Sequence, residues 1–206
     1  MRSQCFCRSA IVFLATLACG GCGHVRYPTN YVLNLPVPTS PVVAARESKG
    51  TLAVEQFQCP KYLCEGRIVY RGTPEEIAFY EFHRWAMDPR EMLTHSIADR
   101  IRSESLFRDV ALKRTGSDPA YVLKGNIERL EEVDDGRDVR VVCTISAELL
   151  DTHTRSIIWS GSESQTVAVE NRNVPGIVSS LSAAAQITIN KLVKSLAQAL
   201  PSASAP

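Results

Sequence analysis

The distribution of apolar and polar residues along the chain predicts a series of strands that one helix interrupts and a second helix closes. Alternation with a period of two is typical of strands with one buried face, whereas apolar residues three or four positions apart are typical of amphipathic helices. We predict strands in YVLNLPVP (31–38), TLAVEQF (51–57), RIVYR (67–71), EEIAFYEFHRWA (75–86), VALKR (110–114), YVLKGNIERLEEV (121–133), VRVVCTISAELLD (139–151) and SIIWSGSESQTVAV (156–169).

Both predicted helices begin at recognisable signals. Asp88 suits the N-cap of the first, Pro89 its first helical position, and Glu91 completes a capping box. The second covers much of 171–200, where small and apolar residues recur at helical spacing. This order of elements predicts an α+β fold, with a largely antiparallel sheet and two helices packed on one face.

The amino terminus has the layout of a secretory signal peptide. Arg2 and Arg8 precede an apolar run of about nine residues, far shorter than the roughly 20 that span a bilayer as a helix. Small residues then lead into Cys19 and Cys22, as in a lipoprotein signal, where the cysteine is lipidated and becomes the new amino terminus. Either cysteine fits: Cys19 lacks the preferred Leu or Val three positions upstream, and Cys22 has a cysteine there.

A redox pair or a metal site is the alternative interpretation of Cys19 and Cys22. A redox CxxC belongs at a strand-to-helix junction, and a zinc site needs a second pair of ligands at matched spacing. Neither pattern surrounds these cysteines, so lipidation is favoured. The predicted organisation is a signal peptide over 1–21, cleaved before Cys19 or Cys22, a tether over 22–30, one domain over 31–200 and a disordered tail over 201–206.

Composition agrees with a single domain that has a substantial core. The chain has 206 residues and a formal net charge of +1, which gives no indication of a nucleic-acid partner. Cys59 and Cys64 lie in a predicted loop, where an oxidising compartment would allow a disulfide; two free thiols are the alternative.

The strand at 75–86 has aromatic residues on both of its alternating faces. One face carries Phe79, Glu81, His83 and Trp85, and the other carries Tyr80 and Phe82. Such a strand is either covered on both sides or faces a partner. We therefore predict a candidate interface at Phe79, Tyr80, Glu81, Phe82, His83 and Trp85.

The sequence gives little indication of catalysis. The four histidines are scattered, and no paired metal-ligand spacing, phosphate-binding glycine loop or nucleophile elbow is present. Glu81 and His83 share a predicted strand face and are the one pair suited to acid–base work, although a structural or interface role is favoured. The charge run RLEEVDDGRD (129–138) is interpreted as a solvated hairpin tip, with neighbouring Glu131 and Glu132 pointing apart. We expect no enzyme, cofactor or metal.

The segment RIVYRGTPEEIAFYEFHRWAMDPREMLTHSIADRI (67–101) resembles the ABC-type transport auxiliary lipoprotein family. YVLNLP after the cysteines, LFRDVAL after the first helix, and YVLKGNIERLEEV and IIWSGSESQ in the later strands follow the family in order. The resemblance covers about 31–200. Cys59 and Cys64 lie outside the family pattern.

The resemblance implies a non-enzymatic subunit of an MCE-type envelope lipid transport system that supports outer-membrane integrity. Its implied partners are an MCE-domain protein, a permease and an ATPase, with a homo-oligomer left open. Glycine follows either candidate cysteine, which favours anchoring at the periplasmic face of the outer membrane. The alternative is a structural or assembly lipoprotein that regulates cell-wall synthesis or outer-membrane secretion.

Overall fold

The computed structural model describes residues 26–36 and 49–200. Their strands are β1 (Thr29–Tyr31), β2 (Lys49–Val54), β3 (Arg67–Arg71), β4 (Ala78–Trp85), β5 (Phe107–Leu112), β6 (Tyr121–Asp134), β7 (Val139–Asp151) and β8 (Ser156–Ala168). The helices are α1 (Pro89–Ser103) and α2 (Val174–Ala199), and Lys61–Leu63 forms one 3₁₀ turn. The predicted α+β fold is confirmed.

The eight strands form one mixed sheet that divides at β6. On one edge β6 pairs with β7 in antiparallel fashion, and β7 pairs with β8. On the other edge β6 pairs first with β2 and then with β3, both in parallel. Strand β5 extends the β2 branch, whereas β4 and β1 extend the β3 branch. Most of the predicted strands were found, but these parallel pairings join strands far apart in sequence and depend on the tertiary fold.

The predicted first strand at 31–38 differs from the structure. β1 covers only Thr29–Tyr31, and the chain then leaves the sheet. The backbone N–H of Leu33 donates to the Met92 sulfur at 3.4 Å, and that of Asn34 donates to Ser182 Oγ at 3.1 Å. This segment therefore lies against both helices, where side chains replace a neighbouring strand as hydrogen-bond acceptors.

Capping explains where the helices begin. The Asp88 side chain accepts a hydrogen bond from the Arg90 backbone N–H at 2.8 Å, as the sequence predicted for this N-cap. At α2, the Asn173 side chain accepts from the Gly176 N–H at 2.8 Å.

In the described part of the chain, no helix is long and apolar enough to cross a membrane.

Both helices contribute to one core with the sheet. Helix α2 packs on β7 and β8, and α1 packs on β5 and α2. Cys143 on β7 is fully buried, and burial raises the pKa of its thiol to about 12. It is a small core residue, as predicted. Thr188 of α2 is also buried, and its hydroxyl donates to the Ala184 carbonyl oxygen at 2.8 Å.

Gly125 allows the chain after β2 to pack closely on β6. A Cβ at this position would lie 2.2 Å from the Phe57 ring and 2.6 Å from the Ser146 carbonyl oxygen. Phe57 is itself buried, and its N–H donates to Thr94 Oγ1 at 3.1 Å, which ties the segment to α1. The ring therefore has little freedom to retreat.

We predict that Gly125→Ala lowers the free energy of unfolding by about 1–3 kcal/mol, because the added methyl group overpacks this contact. Chemical denaturation monitored by circular dichroism measures the change. Gly72→Ala is the matched control, since its nearest neighbours would lie at 3.8 and 3.9 Å. Equal stability of the two variants would contradict the packing argument.

Candidate functional site

The structure locates one of the two predicted cysteine features. Cys19 and Cys22 lie outside the described residues. Cys59 and Cys64 flank the 3₁₀ turn, with their Cα atoms 6.4 Å apart. This separation lies in the usual disulfide range. The bridge stays a prediction, which this geometry supports.

A bulge in β4 changes which residues share a face. Arg67 on β3 aligns with Arg84, whereas Val69 aligns with Phe79, so two steps along β3 correspond to five along β4. The three additional residues interrupt strict alternation. The predicted separation of Tyr80 and His83 onto opposite faces is therefore wrong: their rings lie 5.9 Å apart, edge to face.

Tyr80 and His83 belong to a half-buried cluster on three strands, here called the Tyr–His cluster, which consists of Tyr31, Tyr70, Tyr80 and His83. The Tyr31 hydroxyl and His83 Nδ1 are hydrogen-bonded at 3.1 Å. The Tyr70 and Tyr80 rings lie 5.1 Å apart. The side chains of Tyr31 and His83 thus add to the backbone pairing that holds β1 against β4.

Glu132 of β6 contacts this cluster through a hydrogen bond to Tyr80. It is buried, and its carboxylate accepts a hydrogen bond from the Tyr80 hydroxyl at 2.7 Å. Burial raises the pKa of Glu132, and nearby Asp134 acts in the same direction, whereas the Tyr80 hydroxyl opposes them. Burial and the bond to Glu132 also raise the pKa of Tyr80, so this hydroxyl stays protonated and remains the donor.

The remaining predicted interface residues have three different environments. Phe79 and Phe82 are half-buried, and arginines stack on them: Arg67 lies 3.8 Å from the centroid of Phe79, and Arg26 lies 5.2 Å from that of Phe82. Glu81 is exposed between them. Trp85 is only 7% exposed and belongs to the core. The accessible part of the predicted interface is thus Phe79 to His83.

The prediction that the charge run at 129–138 forms a solvated hairpin tip is wrong at Glu131 and Glu132, because both side chains are buried. They do point apart, as predicted. Glu131 accepts hydrogen bonds from Arg71 Nε at 2.8 Å and Arg129 Nε at 2.7 Å on the face opposite the core. Only the following residues, such as Asp135, are exposed in the turn.

The arrangement is suited to contact and provides little for catalysis. In the described residues Glu81 and His83 share no hydrogen bond, and His83 bonds to Tyr31 instead. Across residues 26–36 and 49–200, no group of three His, Cys, Asp or Glu side chains is placed to hold a metal ion. The chemistry available at β4 is aromatic packing, arginine stacking and one exposed carboxylate.

Sequence reasoning missed Tyr31, Tyr70 and Glu132 as members of this site. Tyr70 lies in the predicted strand beside β4, so its contact with Tyr80 follows once the pairing is known. Tyr31 lies on β1, which pairs in parallel with β4, and Glu132 lies on β6, which pairs in parallel with β3. Local sequence patterns identify neither pairing. No local signal singled out Glu132, because the same strand also carries Glu128 and Glu131.

We predict that Glu132→Gln increases stability at neutral pH relative to the native chain. The folded-state pKa of Glu132 is raised, so its favourable contribution exists below the unfolded pKa and is lost as pH rises through the folded value. Glutamine retains an acceptor for Tyr80 without a charge. The stability difference should therefore grow as the pH rises from about 4, near the unfolded-state pKa, toward neutrality, by about 1.4 kcal/mol for each unit by which the folded-state pKa is raised.

Thermal unfolding across this pH range tests the prediction. Glu128→Gln on the same strand is the control, because that side chain is exposed. A gain in stability that does not depend on pH, or that the control shares, would argue against a buried ionised carboxylate at Glu132.

Comparisons with known proteins agree with this architecture. The chain is similar to protein XCC0632 from Xanthomonas campestris, with a TM-score of 0.72, 19% identity, and coverage of 83% of this chain and 96% of that one. A second crystal structure, of an uncharacterized protein, gives a TM-score of 0.62 at 19% identity, covering 82% and 98%. These likenesses show the fold.

A more distant likeness is to the PelC dodecamer from Paraburkholderia phytofirmans, with a TM-score of 0.47, 19% identity, and coverage of 77% of this chain and 93% of that one. No curated protein matched the chain. The model of the family described as ABC-type transport auxiliary lipoprotein component matches residues 31–203. The chain therefore belongs to the ABC-type transport auxiliary lipoprotein component family.

Proposed function

We propose that this protein is a non-catalytic, lipid-anchored subunit of an ABC/MCE-type envelope lipid transport system. The observation that carries the proposal is the family match over residues 31–203, which begins nine residues after Cys22 and includes strands β2 to β8 and both helices. The domain as a whole, and not a short motif within it, thus corresponds to the auxiliary lipoprotein component.

The anchor is a diacylglyceryl group on Cys19 or Cys22. Arg26 is the first described residue, and its guanidinium stacks on Phe82 of β4. A fully extended chain spans at most about 14 Å from Cys22 to Arg26, or about 25 Å from Cys19. Anchoring at the periplasmic face of the outer membrane would therefore hold the β1–β4 side of the sheet close to the bilayer.

The surface from Phe79 to His83 is the docking site for the MCE-domain protein or for another copy of this chain. Two half-buried phenylalanines flank exposed Glu81, and each is covered on one side by an arginine. Aromatic and arginine side chains are enriched where proteins bind one another. The permease and the ATPase would then associate with this chain through the MCE-domain protein.

Intact mass of the native protein tests the covalent features. We expect loss of the residues before one cysteine, addition of a diacylglyceryl group there, and a further loss of two hydrogens for a Cys59–Cys64 bridge. Cys19→Ser and Cys22→Ser identify the acylated residue, because only one substitution should abolish lipidation. A mature chain that retains both cysteines unlipidated would contradict the anchor and would revive the redox interpretation.

Charge reversal at Glu81 tests the docking surface. We expect Glu81→Lys to reduce recovery of the MCE-domain protein from crosslinked envelopes at least several-fold, because the change places an opposite charge at the centre of the contact. Stability should stay within about 0.5 kcal/mol, since the side chain is exposed.

Glu128→Lys is the matched control, as an exposed glutamate on β6. Equal recovery of the MCE-domain protein with both variants would contradict the docking site on β4 but not the proposed complex. Recovery of cell-wall or secretion proteins in place of the transporter subunits would favour the alternative assembly function.

A further inference from the structure

A pocket with three arginines lies on the face of the sheet opposite the helices. It has a volume of about 560 Å³, and Arg71, Arg129 and Arg140 line it together with the turn after β3. Arg129 aligns with Thr144, and Glu131 with Val142, so β6 and β7 form its floor. Thr166 of β8 extends this floor.

The buried carboxylate of Glu131 orients two of the three guanidinium groups. Its two oxygens accept from Arg71 Nε and Arg129 Nε. Arg71 also donates to the Pro74 carbonyl oxygen at 2.8 Å and to the Tyr62 hydroxyl at 3.3 Å. Each nitrogen of the Arg71 guanidinium therefore donates to the protein, which holds this side chain in place as one wall of the pocket.

Arg129 and Arg140 retain donors that the described residues do not use. Within this part of the chain, Arg129 uses Nε alone, and Arg140 uses one terminal amino group, which donates to Asp135 at 2.8 Å. Three terminal amino groups thus remain available on two side chains that line one pocket. Glu131 occupies the Nε donors of Arg71 and Arg129, so a further anion would bind through the terminal amino groups, and three such groups suit an anion with at least three acceptor oxygens.

The charge balance of the pocket favours an anion. Among the residues that line the pocket, together with the buried Glu131 that two of them contact, three arginines face two carboxylates, which leaves one positive charge. Hydrogen bonds from the Asp138 backbone N–H, the Arg140 side chain and the Arg137 backbone N–H lower the pKa of Asp135 to about 2, so it is ionised and offsets Arg140. The remaining positive charge is associated with Arg71 and Arg129 around Glu131.

We propose that this pocket binds the phosphate group of a phosphate monoester. Phosphate offers at least three strong acceptor oxygens, and arginine guanidinium groups bind it through paired hydrogen bonds. Arg129 and Arg140 contact it from two strands, and Thr166 lies at the floor. The monoester is either a soluble organic phosphate or a phospholipid headgroup. The proposal depends on neither the lipid anchor nor the MCE partner.

Binding of sn-glycerol 3-phosphate to the full chain in dodecyl maltoside tests the site by titration calorimetry. We expect Arg129→Gln and Arg140→Gln each to weaken binding at least ten-fold, because each removes charge-assisted hydrogen bonds. Lys124→Gln is the matched control: it removes one exposed positive charge from β6 outside the pocket and should change the affinity less than two-fold.

Arg140→Gln keeps the test valid if Arg129→Gln destabilises the chain, because Asp135, the partner of Arg140, is exposed, whereas Glu131, the partner of Arg129, is fully buried. Micelles with phosphatidic acid, compared with phosphatidylcholine, form the second arm. Binding of glycerol 3-phosphate that depends on the arginines assigns a soluble phosphate. Binding of phosphatidic acid alone, with the same dependence, assigns a lipid headgroup. Absence of both, or an equal loss with Lys124→Gln, overturns the proposal.

Discussion

Strand β6 is the constraint on which the rest of the structure depends, because three other strands pair with it. β7 pairs along one edge, while β2 and β3 pair in succession along the other. Between them the chain stays against β6: the Gln58 N–H donates to the Gly125 carbonyl oxygen and the Ile127 N–H donates to that of Gln58, both at 2.8 Å. Two branches of the sheet are thus joined through one fourteen-residue strand.

This central position explains why two adjacent glutamates are buried. Adjacent residues on a strand face opposite sides, so Glu131 meets arginines on the open face and Glu132 meets Tyr80 on the other. Removing a carboxylate from water is costly unless hydrogen bonds compensate for the lost hydration. The two residues meet this requirement differently, one by ion pairing and the other by a raised pKa and a neutral donor.

The same topology places the two surfaces that we propose as binding sites. The β3 branch carries the bulged strand β4, whose accessible residues from Phe79 to His83 lie beside the point where the chain enters at Arg26. The turn after β3 also lines the arginine pocket on the open face. The chain belongs to the auxiliary lipoprotein family. Its proposed docking surface on β4 lies beside Arg26, the described residue nearest the predicted anchor.

Local sequence determined most element positions: β3 and β7 have the predicted bounds, and α1 begins at the predicted Asp88 cap, because alternation and capping depend on nearby residues. The predicted leader and the family resemblance also came from the sequence. Only the tertiary structure decided the parallel pairings, the bulge that joins Tyr80 to His83, and the burial of Glu131 and Glu132. These features depend on strands distant in sequence, whose alignment no local period of apolar residues encodes.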